Sequence, residues 1–143
     1  MTAETNARFR ILEHPSDLGI EATGPTISEA FEQAALGLIA IIADPEKIDV
    51  VDERRVQVIA QDYENLLVRW LSEILYLYDG EDYLLREAKI DSISPTKLNA
   101  RLLGEKYQPE KHRLKLDVKA VTYHQLSIKT MDDATTVRVF LDI

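Results

Sequence analysis

Apolar and polar positions begin to alternate close to the start of this chain. Phe9 and Ile11, set among Arg10 and Glu13, read as a short first strand, and Leu18, Ile20 and Ala22 resume the same period of two after a break. The break is His14-Pro15-Ser16, where Pro15 has no N–H for a ladder and restricts His14 to extended conformations. Gly24-Pro25 closes the second strand. The period then changes. Thr26 and Glu29 have the spacing of a capping box, and Ile27, Ala30, Phe31, Ala34, Leu38, Ile41 and Ile42 follow at helical intervals. Leu36, Gly37, Ile39 and Ala40 make the second half of this helix apolar nearly all round, which predicts burial on several sides. Asp44-Pro45 stops it.

Residues 55–60 read as a third strand, with Val56 and Val58 on one face. Asp62 then caps a second helix over 63–79, whose apolar stripe runs through Leu66, Leu67, Trp70, Leu71, Ile74, Leu77 and Tyr78, with Gly80 as its stop. Trp70 and the tyrosines Tyr76, Tyr78 and Tyr83 fit a core better than a binding surface, because aromatics at helical spacing usually pack inward. A strand over 85–93 pairs across Ser94-Pro95-Thr96 with Leu98, Ala100 and Leu102, and the charged stretch 104–112 reads as a loop around Pro109. Leu114, Leu116, Val118 and Ala120 alternate strictly with Arg113, Lys115, Asp117 and Lys119, the strongest strand pattern in the chain. Tyr123-His124-Gln125 interrupts it; Leu126, Ile128 and Thr130 continue, Asp132-Asp133 turns, and Val137, Val139 and Leu141 finish. The predicted class is α+β in two layers, two helices packed together and over a largely antiparallel sheet, in the order ββαβα followed by several strands. Residues 1–143 form one domain in this reading, with 1–7 expected to fray.

Composition narrows the chemistry. With 45% hydrophobic and 29% charged residues the chain belongs with ordinary soluble proteins, and no apolar run approaches the roughly 20 residues of a membrane span. The polar N-terminus has no apolar core of a secretory signal, so a cytoplasmic protein is expected. The absence of cysteine removes disulfides, thiolate nucleophiles and Cys-ligated zinc. A net charge of -8 argues against this chain gripping a nucleic-acid backbone, which needs clustered Lys and Arg, so no direct sequence-specific nucleic-acid binding is expected; the acidity suits either a metal site or a basic partner.

Two places could carry chemistry. Asp17 directly follows the proline-stiffened break, and Asp142 stands at the C-terminal end of the last strand, on the face opposite Val137, Val139 and Leu141. Each has a plain alternative, a turn aspartate bonding its own backbone and a solvated strand end. With the carbonyls and the α-carboxylate of Ile143 nearby, Asp142 would suit a hard cation such as Ca²⁺ or Mg²⁺. The histidines His14, His112 and His124 lack zinc-helix spacing, Ser16 has no nucleophile elbow, and neither a phosphate loop nor a dinucleotide fingerprint occurs.

Five segments in order give the chain a resemblance to the archease family: EHPSDLGIEATG over 13–24, TISEAFEQAALGLIAIIADPEKI over 26–48, YENLLVRWLSEILYLYD over 63–79, VKAVTYHQLSI over 118–128 and VRVFLDI over 137–143. The resemblance implies a protein that is not itself an enzyme but activates the GTP- and metal-dependent tRNA-splicing RNA ligase, promoting its guanylylation and repeated turnover. It implies that Asp17 and Asp142 are metal ligands, with Ile143 supplying a further oxygen, and that His14, Lys119, Tyr123 and His124 lie near the site. The implied cofactor is a divalent ion with oxygen ligands, Ca²⁺ as it would be caught in a crystal, with Mg²⁺ or Mn²⁺ as alternatives. The chain departs from the family at Pro15-Ser16, where Thr-Ala is common, and at Gln125, where glycine is usual. Two other classes are weighed against this reading. One is a small metal-dependent hydrolase using Asp17 and Asp142 with His14 or His124 as acid–base; the other is a general chaperone.

Overall fold

The computed structural model describes residues 7–13 and 17–143. Seven strands and two helices follow one another as β1 (Arg8–Glu13), β2 (Asp17–Gly24), α1 (Ile27–Ile42), β3 (Asp52–Ile59), α2 (Tyr63–Glu81), β4 (Tyr83–Ser94), β5 (Lys97–Lys106), β6 (Ala120–Met131) and β7 (Ala134–Asp142). A single 3-10 turn, Pro45–Lys47, follows α1. The class is α+β and the order is the expected one. Every strand pairing is antiparallel, but the strands divide into two sheets, β1-β2-β7-β6 and β3-β5-β4, and not one.

The helices join the two sheets. α1 lies against β1, β2 and β7 of the first sheet and β4 of the second, while α2 touches β6 and all three strands of the second. This explains why α1 is apolar nearly all round: Ala34, Ala35, Gly37, Leu38, Ile39, Ile41 and Ile42 are all buried. Trp70 is completely buried where the helices meet, and its indole N–H donates to the Phe31 carbonyl at 2.9 Å, so the largest side chain of the core leaves no polar atom unsatisfied. Thr26 caps α1 as the sequence predicts, its hydroxyl accepting from the Glu29 N–H at 3.2 Å. The reciprocal contact differs: the Glu29 carboxylate accepts from the Thr26 hydroxyl at 3.1 Å, where a full capping box would use the Thr26 N–H.

Three expectations need correction. Gly80 does not stop α2; the helix runs through it to Glu81 and ends at Asp82, which takes the left-handed conformation (φ 57°) and donates its N–H to the Leu77 and Tyr78 carbonyls. Aspartate tolerates that region because its short polar side chain bonds locally. The stretch 104–112 is not all loop, since β5 continues to Lys106. The strictly alternating 113–119 is not a strand. It carries only an isolated bridge between Leu114 and Ala43, and it spends its backbone donors elsewhere, Lys115 N–H on the Ile42 carbonyl at the end of α1 and Lys119 N–H on the Asp142 carbonyl. Alternation specifies a strand only where a partner strand is within reach, and α1 occupies that place.

Candidate functional site

The antiparallel register of β2 and β7 sets Asp17 directly opposite Asp142. Side chains of directly opposed residues leave the sheet on the same face, with Cβ atoms about 4.5–5.5 Å apart, so the two carboxylates share one face at the end of the ladder. Leu18, Ile20 and Ala22 pair with Leu141, Val139 and Val137 on the buried face, and that burial fixes the register: a slip by one residue would drive both carboxylates into the core. One oxygen of the Asp17 carboxylate is shut off from solvent. Asp142 is exposed, as is Ile143 beyond it.

On the other side of β7, Ala120 opens β6 opposite Asp142, and Lys119 donates its backbone N–H to the Asp142 carbonyl at 2.7 Å. Asp142 is therefore held from both flanks, by β2 and by the start of β6. Behind the carboxylates lies a ring. Phe140, partner of Gly19, is almost fully buried, and its Cε1 lies 2.7 Å from where a Cβ on Gly19 would stand. Gly19 is there because only a hydrogen leaves room for the ring.

His124 covers the far edge of that ring, with centroids 6.3 Å apart in an edge-to-face arrangement. It gets there through an irregular stretch of β6: between Thr122 and Ser127, the four residues 123–126 of β6 are set against Val139 alone on β7. The Thr122 hydroxyl donates to the Phe140 carbonyl at 2.9 Å and accepts from the His124 N–H at 3.2 Å, and Gln125 turns the chain at φ 54°. Tyr123 is committed differently, its hydroxyl accepting from Asn65 in the first turn of α2 at 2.6 Å. The structure thus gathers Asp17, Asp142, Ile143 and the Lys119 backbone at one tip, with His124 beside it across Phe140. Tyr123 is tied to α2, and His14 lies outside the described residues.

A hard divalent ion suits this donor set in kind. The side chains converging on the tip are carboxylates, and like charges directly opposed in a sheet destabilise it unless a cation offsets them. The set is small: among the described residues no group of three or more His, Cys, Asp or Glu is placed to hold a metal ion, whereas Ca²⁺ takes roughly six to eight oxygens.

A second polar cluster has no counterpart among the candidates drawn from sequence. His112 and Glu105 are both buried, joined Nε2 to Oε2 at 2.9 Å, while His112 Nδ1 accepts from the Gln108 N–H at 2.9 Å. That pairing makes Nε2 the protonated nitrogen, donating to Glu105. Burial pushes the Glu105 carboxyl up, but the Asp49 N–H, Lys111 and His112 outweigh it and hold the group down to about 2. The cluster braces the chain between β5 and 113–119. Its only signal in the sequence is charge density, which looks the same in a solvated loop.

The profile of the Archease protein family matches residues 9–143. The chain belongs to the archease family. It is 37% identical to the protein archease of Sulfolobus acidocaldarius over 137 residues, covering 95% of this chain and 99% of that one. Against the protein archease of Pyrococcus abyssi the identity is 39% over 129 residues, 88% of this chain and 91% of the other. The solution structure of Methanobacterium thermoautotrophicum protein 1598 superposes with a TM-score of 0.78 at 31% identity, covering 94% of this chain and 98% of that one. The crystal structure of a Thermotoga maritima archease, described as a possible chaperone, shares the fold at a TM-score of 0.56 and 18% identity, over 94% and 96% of the two chains.

Proposed function

We propose that this archease is a non-enzymatic activator of the GTP-dependent tRNA-splicing RNA ligase, promoting ligase guanylylation and multiple turnover. Asp17 and Asp142, with a further oxygen from Ile143, would hold a divalent metal ion. The observation that carries the proposal is the opposition of Asp17 and Asp142 in the β2–β7 register, which brings the two family-implied ligands to one exposed tip. A bound divalent ion supplies the positive charge that offsets two facing carboxylates. The chain supplies orientation: the buried apolar ladder fixes the register, Phe140 and Gly19 back the tip, and the Lys119 N–H holds the Asp142 carbonyl.

The size of the donor set supports a site that is lent to another protein's metal-rich centre more than one that works alone. In this reading the tip docks at the ligase active site and helps arrange the nucleotide-bound metals, without reading RNA bases. The test is multiple-turnover ligation by the ligase with and without this archease. Stimulation by the native protein and none by Asp142→Ala supports the proposal. Phosphoester turnover by the purified archease alone, lost on chelation, would replace it with a metal-dependent hydrolase.

A further inference from the structure

We propose that residues 113–119 are an open strand edge beside the tip, onto which an extended segment of the ligase is added. The identity of the partner as the ligase rests on the proposed function. This stretch has the pattern of a strand without the pairing of one. Leu114, Leu116 and Val118 alternate with Arg113, Lys115, Asp117 and Lys119, and the chain runs from His112 to Ala120 without a turn or bend. Val118 is buried, whereas Leu114 is 40% exposed and Leu116 45%, so the apolar side of the pattern is only half covered.

Hydrogen bonding fixes which edge is open. Lys115 donates its N–H to the Ile42 carbonyl and Lys119 to the Asp142 carbonyl, both at 2.7 Å. In an extended chain the N–H and C=O groups of alternate residues leave on the same edge. The odd-numbered residues therefore turn theirs toward the body of the protein, and Leu114, Leu116 and Val118 turn theirs away from it. The lone bridge between Leu114 and Ala43 belongs to the inner edge, since it is made through the Lys115 N–H. Among the described residues nothing accepts from the N–H groups of Leu114, Leu116 and Val118, and nothing donates to their carbonyls. An unpaired row of this kind is a template for a strand from another chain.

The occupant follows from the place and the size of this edge. Its C-terminal end is bonded to Asp142, so a protein docked at the tip meets it directly. Seven residues span about 20 Å at ~3.3 Å per residue, and an edge of that length offers far less than the roughly 1,200 Å² at which stable interfaces begin. It therefore adds to a complex already held at the tip and does not capture a partner unaided. A second copy of the chain fits poorly. Antiparallel pairing of two such edges about Leu116 opposes Arg113 to Lys119 at both ends and brings together two chains of net charge -8. In strand addition the main chain supplies the hydrogen bonds and alternate side chains select the partner, so the ligase segment would set apolar side chains against Leu114 and Leu116.

The experiment is amide hydrogen exchange, read residue by residue, on the intact archease alone and with saturating ligase, GTP and divalent metal. In the free protein the amides of Leu114, Leu116 and Val118 should exchange fast and those of Lys115 and Lys119 slowly. With ligase bound, the three fast amides should slow about tenfold or more, the worth of one backbone hydrogen bond each. Leu114→Ser with Leu116→Ser should raise the archease concentration that half-saturates guanylylation about tenfold and leave the maximal acceleration unchanged. Both side chains are exposed, so this variant should keep the native melting midpoint, which is checked alongside. Acceleration by the native protein while the three amides exchange as in the free chain overturns the inference and leaves the proposed function standing. A double variant with native half-saturation does the same. Protection of the three amides that appears without ligase and grows with archease concentration would assign the edge to a second copy, and overturns it too. No acceleration, with no protection anywhere, overturns the proposed function and this inference with it.

Discussion

Asp17 and Asp142 are direct cross-strand partners at the open end of the β2–β7 ladder, two carboxylates on one face with nothing in the sheet's own pairing that requires them. Opposed like charges cost a sheet roughly 0.2–1 kcal/mol. Replacing one of them should therefore stabilise the metal-free protein slightly while removing its response to metal. In thermal unfolding after chelation, Asp142→Asn should melt at or slightly above the native protein. Added Ca²⁺ should raise the native midpoint, by the equivalent of about 2.7 kcal/mol at a hundredfold excess over Kd, and leave the variant unmoved. An equal response from both would remove Asp142 from the ligand set.

Gly19 and Phe140 form the floor of the tip. A methyl group at Gly19 would sit 2.7 Å from the ring, so Gly19→Ala must displace Phe140 and with it the contact to His124. Overpacking of this kind costs about 1–3 kcal/mol, readable as a lower denaturation midpoint in urea. Pairing it with Phe140→Leu should recover part of the loss, since the smaller side chain vacates the space; two independent, additive losses would contradict the contact.

Gln125 adopts φ 54° in the irregular part of β6, a conformation that costs a side-chain-bearing residue about 1–2 kcal/mol and glycine almost nothing. Glycine, which the resemblance leads one to expect at this place, would take that conformation without the side chain's penalty. After its greater unfolded-state entropy, Gln125→Gly should still stabilise the protein by up to about 1 kcal/mol. A destabilised variant would mean that the glutamine side chain contributes more than its backbone costs.

Much of the fold is legible in the residues, and the exceptions share a cause. Periodicity locates both helices and the buried faces of β2 and β7, because a one-residue slip there would expose the whole ladder. The same parity puts Asp142 on the outer face of the last strand. Local pattern fails where partners come from far along the chain. Residues 113–119 look like a strand but are bonded to the ends of α1 and β7, and Glu105 looks like a loop residue but is buried against His112. The joining of Arg10 and Arg138 through Glu21 is invisible in the sequence for the same reason, since the three come together from three strands only through the register.

The Glu105–His112 cluster predicts an acid-sensitive stability. Glu105 is held at about 2 in the folded protein against an ordinary value of 4.5, so its stabilising contribution is complete above 4.5 and is lost as pH falls from there towards 2. Glu105→Gln should lower stability at neutral pH and flatten the fall between pH 4.5 and 2, measured by urea unfolding at several pH values. His112→Ala leaves Glu105 and the Gln108 N–H short of a partner and should cost about 1–3 kcal/mol at neutral pH.

The rate of ligase guanylylation, measured with the ligase, GTP and divalent metal but no RNA, tests the central claim most directly. Native archease should accelerate the step, and Asp17→Ala and Asp142→Ala, each melting as a folded protein, should not. Undiminished acceleration by either variant would contradict the account.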